Sequence, residues 1–157
     1  NAGGRDIRLH IAGAADPENP ESASAETLAQ WAATPGVTLK GRVNHLPSFW
    51  AETHVACFPT RGGEGLPRSL LEAASCARAL IVTNTPGCVD FVHVEREGLI
   101  VPTENVDALA EAIVKLADDP ARRARLAANA RARVLAGFTE AHAAEAAASA
   151  WRRLLAR

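Results

Sequence analysis

Lysine is nearly absent from this 157-residue chain, at two residues against fifteen arginines. Alanine is correspondingly frequent, a bias of the kind that GC-rich coding produces, so neither is taken as a functional signal. No stretch approaches the eighteen apolar residues that a membrane span needs. The cysteines Cys57, Cys76 and Cys88 form neither a C-x-x-C pair nor a zinc pattern. Their odd, sparse count, with no secretory leader in view, points to a reducing compartment. A catalytic thiol would need an activating base, and the sequence offers none. The five histidines, at 10, 45, 54, 93 and 142, lack metal-ligand spacing, and no serine sits in a G-x-S-x-G elbow. A net charge of −1 gives no electrostatic argument for nucleic acid as a partner.

What is present suits one globular domain with a sizeable core: 48% hydrophobic residues and 22% charged ones. Charge is uneven. Eight of the fifteen arginines follow residue 120, opposed only by Glu140 and Glu145. The simplest expectation is a solvated helix face, with attraction to an anionic membrane or a neighbouring domain as the alternative.

Along the chain, IRLHIAG (7–13) reads as a buried strand closed by Gly13. ADPENPES is a loop, and AETLAQWAAT (25–34) a helix that Pro35-Gly36 stops. VTLKGRV and VACFP read as the second and third strands, with the short helical turn LPSFWAETH between them. A helix from Pro67 to Ala77 follows, then strands ALIVTN and GLIVP. The chain is helical from Asn105, restarting at Asp119-Pro120 and again behind Thr139 as a cap. Alternating strands and helices predict βαβ units: a three-layer α/β domain with a parallel sheet and a helical C-terminus. In such sheets ligands bind beyond the carboxyl ends of the strands.

One loop sits at that address. RGGEGLPRSLLE (61–72) follows VACFP. Gly62, Gly63 and Gly65 permit close approach of the backbone to a ligand. Pro67 suits the first helical turn. The N–H groups near Ser69 then leave the helix start toward an anion such as a phosphate. Arg61 and Arg68 are candidates for charge-assisted contacts, or for simple solvation. Glu64 can reach a sugar hydroxyl. Glu72, about one and a half turns into the helix, can accept a diol as acids do with ribose. Two unrelated surface acids remain the plain alternative.

The wider string CFPTRGGEGLPRSLLEAASCARALIVTNTPGC resembles the donor-binding signature of glycosyltransferase family 4, whose members have the GT-B fold. The matching features are the E-x7-E pair Glu64 and Glu72, Gly65, the LLEAAS helix, and a T-N-T-P-G loop followed by Asp90. The resemblance extends through REGLIVPTENVDALAEAI and back to IAGAADPENP, which looks like bacterial capsule and lipopolysaccharide sugar transferases. It implies a Rossmann-like donor-binding domain of a retaining hexosyltransferase, using a nucleotide sugar, commonly a UDP-sugar, without a metal. Glu72 would hold the ribose, and Glu64 would lie beside the transferred sugar as the residue nearest the chemistry. The backbone from Gly65 through Leu66 would face the sugar and the helix start the diphosphate, with Gly63, Pro67, Ser69 and Arg61 as further donor-binding residues. Arg42 and Val43, with Gly41, would form the wall for the base. Pro86 and Gly87 would lie near the cleft and shape a turn.

Several positions depart from the pattern. Ala77 and Ala79 stand where glycine and proline are frequent, Pro67 stands where the residue is frequently glycine, and Asp90 stands for a more usual Glu. The resemblance also implies that residues 1–157 are one truncated donor domain. The N-terminal acceptor domain, and the first donor-domain strand with its diphosphate-clamping Arg and Lys, would lie outside it. Such a fragment is not expected to transfer sugar alone. The expected partners are a nucleotide-sugar donor and a glycan or lipid-linked acceptor, the expected place cytoplasmic, including the inner membrane face. A GT-B nucleotide-sugar epimerase and a binding-only nucleotide module are the alternatives.

Overall fold

The computed structural model describes residues 4–19, 22–63 and 65–156. The elements run β1 (Leu9–Ala12), α1 (Ala25–Ala32), β2 (Val37–Gly41), α2 (Leu46–Ala51), β3 (Val55–Phe58), α3 (Arg68–Ser75), β4 (Ala79–Thr83), α4 (Pro86–Phe91), β5 (Gly98–Val101), α5 (Val106–Asp118), α6 (Pro120–Gly137) and α7 (Glu140–Leu155). The chain divides into two compact units, residues 1–49 and 50–157. All strand pairs named here are parallel, as expected for βαβ connections. They fall into two sheets, β1-β2 and β3-β4-β5, where the sequence suggested one. Among the described residues, β1 and β3 each pair with one neighbour only.

In the first unit, Leu9 pairs with Val37 and Ile11 with Leu39. Ser24 caps α1 by accepting from the Thr27 amide at 3.1 Å. The expectation of a buried first strand is corrected: Leu9 is 49% exposed. The physical reason is that β1 has a single strand beside it, while α1 packs chiefly on β2.

The second unit carries the core. All five residues of β4 are at most 3% exposed, which requires cover on both faces of the strand. Ala79 and Ile81 pack with Leu99 and Val101 of β5, Ala112 and Leu116 of α5, and Leu126 and Ala127 of α6. Leu80 and Val82 alternate to the opposite face. Each fully buried Leu or Ile contributes about 1.5–3 kcal/mol by removal from water. Trp50, 8% exposed, packs beside Phe58 with ring centres 6.4 Å apart, whereas Trp31 and Trp151 stay exposed.

Helix α3 ends in a Schellman motif: the Arg78 amide donates to the Ala73 carbonyl at 3.0 Å, and the Ala77 amide to Ala74 at 2.9 Å. Ala77 lies at φ +54°, a conformation that normally selects glycine.

The arginines of α6 are braces, which corrects the picture of a merely solvated face. Arg122 donates to the Glu95 carboxylate through Nε at 3.1 Å, and Arg125 to the Glu95 carbonyl at 2.8 Å. Arg123 reaches the Leu116 carbonyl at the end of α5, and Arg131 the Ser75 carbonyl at the end of α3. Arg133 donates to the Asp90 carbonyl at 3.0 Å while its guanidinium lies 5.5 and 5.4 Å from the ring centres of Phe91 and Phe138. Helix α7, capped by Thr139, buries none of its residues. Among the described residues, no helix is long and apolar enough to cross a membrane.

Candidate functional site

The loop between β3 and α3 is fastened at its base. Buried Thr83, the last residue of β4, donates from Oγ1 to the Thr60 carbonyl at 2.6 Å. The Thr60 hydroxyl in turn accepts from the Gly62 amide at 3.2 Å. Gly62 and Gly63 follow at φ +106° and +90°, so these two positions need glycine for conformation alone. Glu64 lies outside the described residues. Gly65 is exposed and Leu66 half-buried.

Pro67 is buried and stands one position earlier than expected. It is the N-cap of α3, at φ −63° and ψ 129°, rather than a residue of the first turn. The reason lies in its carbonyl, which starts the helical ladder by accepting from the Leu70 amide at 3.1 Å and from Leu71 at 3.4 Å. Proline supplies no side-chain cap, so the leading amides of Arg68 and Ser69 precede the first intrahelical bond. Both residues are exposed.

Glu72 is the fifth residue of α3, one turn from the helix start. Leu70, Ala73 and Ala74 are fully buried and fix the face that α3 presents. The Glu72 side chain keeps 25% exposure and accepts from Arg68 Nε at 3.2 Å across one helical turn. Arg61 points elsewhere. Its Nε lies 3.2 Å from Glu104, just ahead of α5, and both side chains are largely exposed. That pair lines an open cleft of about 370 Å³ with Thr83, Pro102 and Leu109, to which Gly65 through Glu72 contribute nothing. In the first unit, Arg42 is exposed and Val43 half-buried, directly after Gly41 at φ +60°.

The structure thus gathers Gly63, Gly65, Leu66, Pro67, Ser69 and Glu72 on one loop-to-helix junction, with Arg61 at its edge turned toward α5. Two features escaped the sequence. Gly87, read as a turn residue, is the second residue of α4 and packs directly on this loop. Glu97 is only 3% exposed, and its carboxylate accepts from the His93 amide at 2.9 Å and contacts the His93 ring at 3.1 Å. A Pro-Gly pair behind a strand signals a turn or a helix start with equal force, and nothing in REGLIV marks a buried acid. Burial pushes the Cys57 thiol up to about 11, which suits an inert core residue. Among the described residues, no cluster of three or more His, Cys, Asp or Glu could hold a metal.

A family model described as "Glycosyl transferases group 1" matches residues 1–119. The chain is 34% identical over 113 residues to the N,N'-diacetylbacillosaminyl-diphospho-undecaprenol alpha-1,3-N-acetylgalactosaminyltransferase of Campylobacter jejuni, a match covering 72% of this chain and 29% of that protein. Among solved structures it resembles sucrose-phosphate synthase from Thermosynechococcus elongatus at a TM-score of 0.85 and 28% identity, covering 95% of this chain and 39% of that one. It also resembles HepE of Anabaena, solved in complex with UDP, at a TM-score of 0.74 and 19% identity, covering 82% and 36%. The chain therefore spans well under half the length of each of these relatives.

Proposed function

The chain belongs to the glycosyl transferases group 1 family, and from that membership we propose that it is the nucleotide-sugar donor domain of a retaining hexosyltransferase. The observation that carries the reading is Glu72. It is a carboxylate held by the buried face of α3, directly behind a glycine loop at the carboxyl end of β3. There Glu72 accepts the two ribose hydroxyls of the donor. The leading amides of α3, at Arg68 and Ser69, meet the diphosphate. Gly63, Gly65, Leu66 and Pro67 line the sugar, with Glu64 as the candidate partner of one of its hydroxyls. Arg61 joins the diphosphate by leaving Glu104, an exposed ion pair of the kind worth about 0–1 kcal/mol.

In the transfer, the bond between the anomeric carbon and the terminal phosphate oxygen breaks. A bond to an acceptor hydroxyl oxygen forms, and the hydroxyl proton leaves with the departing nucleoside diphosphate. The acceptor site is assigned to the rest of the longer enzyme, since this chain spans well under half the length of the relatives above. The Campylobacter relative's name carries a diphospho-undecaprenol acceptor, which supports a lipid-linked acceptor in surface polysaccharide assembly, met at the inner membrane face. The UDP bound by HepE supports a UDP-sugar donor. Following the family resemblance, the reaction uses no metal, so EDTA leaves its rate unchanged.

The test is a titration of the longest natural polypeptide containing this domain with UDP, GDP and ADP, repeated with Glu72→Ala. One nucleotide binds, and the variant loses about tenfold or more in affinity, the scale of losing hydrogen bonds to a charged group. Equal binding by the variant would make Glu72 a surface acid and remove the reading.

A further inference from the structure

Gly87 and the Gly65–Leu66 backbone stand too close for any side chain to lie between them. Gly87 is buried at the start of α4. A methyl group on it would overlap the Gly65 carbonyl and come within 2.9 Å of the Leu66 nitrogen, whereas ordinary Cβ contacts begin near 3.4 Å. Its φ lies outside the left-handed region, so close approach alone demands glycine here. Gly65 differs: a Cβ there meets nothing within 4 Å. The same β4–α4 turn also supports the front of the loop, since a Cβ on Gly62 would lie 3.7 Å from the Thr85 methyl. Gly87 is held by buried α4, so the overlap is relieved by movement of the exposed Gly65 loop in front of buried Pro67 rather than by a flexible side chain.

We propose that Gly87 is a positioning residue that sets where the Gly65–Leu66 backbone stands against the transferred sugar. This rests on the donor-domain reading above. Any residue larger than glycine at position 87 pushes the Gly65 carbonyl outward, into the sugar's place. Glu72 does not follow, because Leu70, Ala73 and Ala74 anchor α3 in the core. Gly87 therefore governs the sugar and leaves the nucleoside diphosphate alone.

The experiment compares wild type with Gly87→Ala in the longest natural polypeptide containing the domain, using UDP and UDP-glucose, or GDP and GDP-mannose where the titration selects guanine. Circular dichroism and a thermal melt check folding. The expected split is affinity for the free diphosphate within about threefold of wild type, with kcat/KM for the sugar donor lower by roughly a hundredfold, the scale of an ångström's misplacement. Equal loss of both, or of neither, overturns the proposal. A wild type that binds no nucleotide fails the donor-domain reading instead. Should the variant not fold, the wild-type Gly87 amide resonance decides: it moves further with the sugar donor than with the free diphosphate, and identical shifts overturn the proposal.

Discussion

Arg68 Nε donates to the Glu72 carboxylate at 3.2 Å, one turn apart along α3. The arginine is 88% exposed and the acid 25% exposed, so solvent screens one partner far more than the other. An exposed i,i+4 pair is worth about 0.3–0.5 kcal/mol. A ribose diol can therefore take over the carboxylate at little cost. Arg68→Ala should change nucleotide affinity by less than about threefold and stability by under ~0.5 kcal/mol. A tenfold loss in the titration would instead assign Arg68 itself to the diphosphate.

Ala77 holds the left-handed position of the α3 Schellman turn at φ +54°. For a residue with a Cβ that conformation costs roughly 1–2 kcal/mol, partly offset by the greater freedom glycine has when unfolded. Ala77→Gly should stabilise the chain by up to about 1 kcal/mol, raising Tm by about 2–4 °C. A lower Tm in calorimetry would show that the methyl packs usefully where it is.

Thr83 reaches the Thr60 carbonyl at 2.6 Å from a site only 3% exposed. Thr83→Val keeps the shape and removes the donor, leaving a carbonyl short of its partner. The expected cost is about 1–2 kcal/mol of unfolding free energy, read as a shifted urea midpoint at constant slope. Leu116→Ala, at a fully buried position, gives the larger scale of comparison at about 2–5 kcal/mol. If Thr83→Val matched Leu116→Ala, the loop would be part of the core rather than tied to it.

The hydrogen bond from Arg122, and the positive charge of Arg122 and Arg125, hold the Glu95 carboxyl below its ordinary value of 4.5. A depressed carboxylate adds stability that is fully present above the unfolded-state value and is lost as pH falls through the lower folded value. The stability difference between wild type and Glu95→Gln should thus be level from about pH 7 to pH 5 and shrink below pH ~4.5. Urea midpoints across that range check it. A difference that persists at pH 3 would mean that the glutamine's shape, not the charge, is responsible.

All five strands and the long helices were legible because hydrophobic runs and caps mark them: ALIVT needs no context to be read as a buried strand, and Asn105, Asp119 and Thr139 each cap as their positions suggest. Helix α4 was not legible. Its first two residues, Pro86 and Gly87, carry the chemistry of a turn, and the chain coils there through the Val89 and Val92 amides, which donate to the Thr85 and Cys88 carbonyls. The exposure of Leu9 was hidden for a different reason, since an apolar run states a preference and cannot say how many strands will flank it. At the site, Glu72 and the glycine loop were readable from spacing. The Arg61–Glu104 pair and the Gly65–Gly87 approach were not, because each joins residues more than twenty positions apart through backbone geometry.

Helix α7 owes its shape to local terms: alanine content, the Thr139 cap and the contact between Arg152 and Glu145. Strand β4 is enclosed on every side. The chain therefore keeps two clocks. Amide protons in α7 exchange with solvent on the schedule of a helical peptide that frays and reforms, while those of β4 wait for the core of the second unit to open. A deuterium pulse separates these two segments of one polypeptide as if they were different molecules.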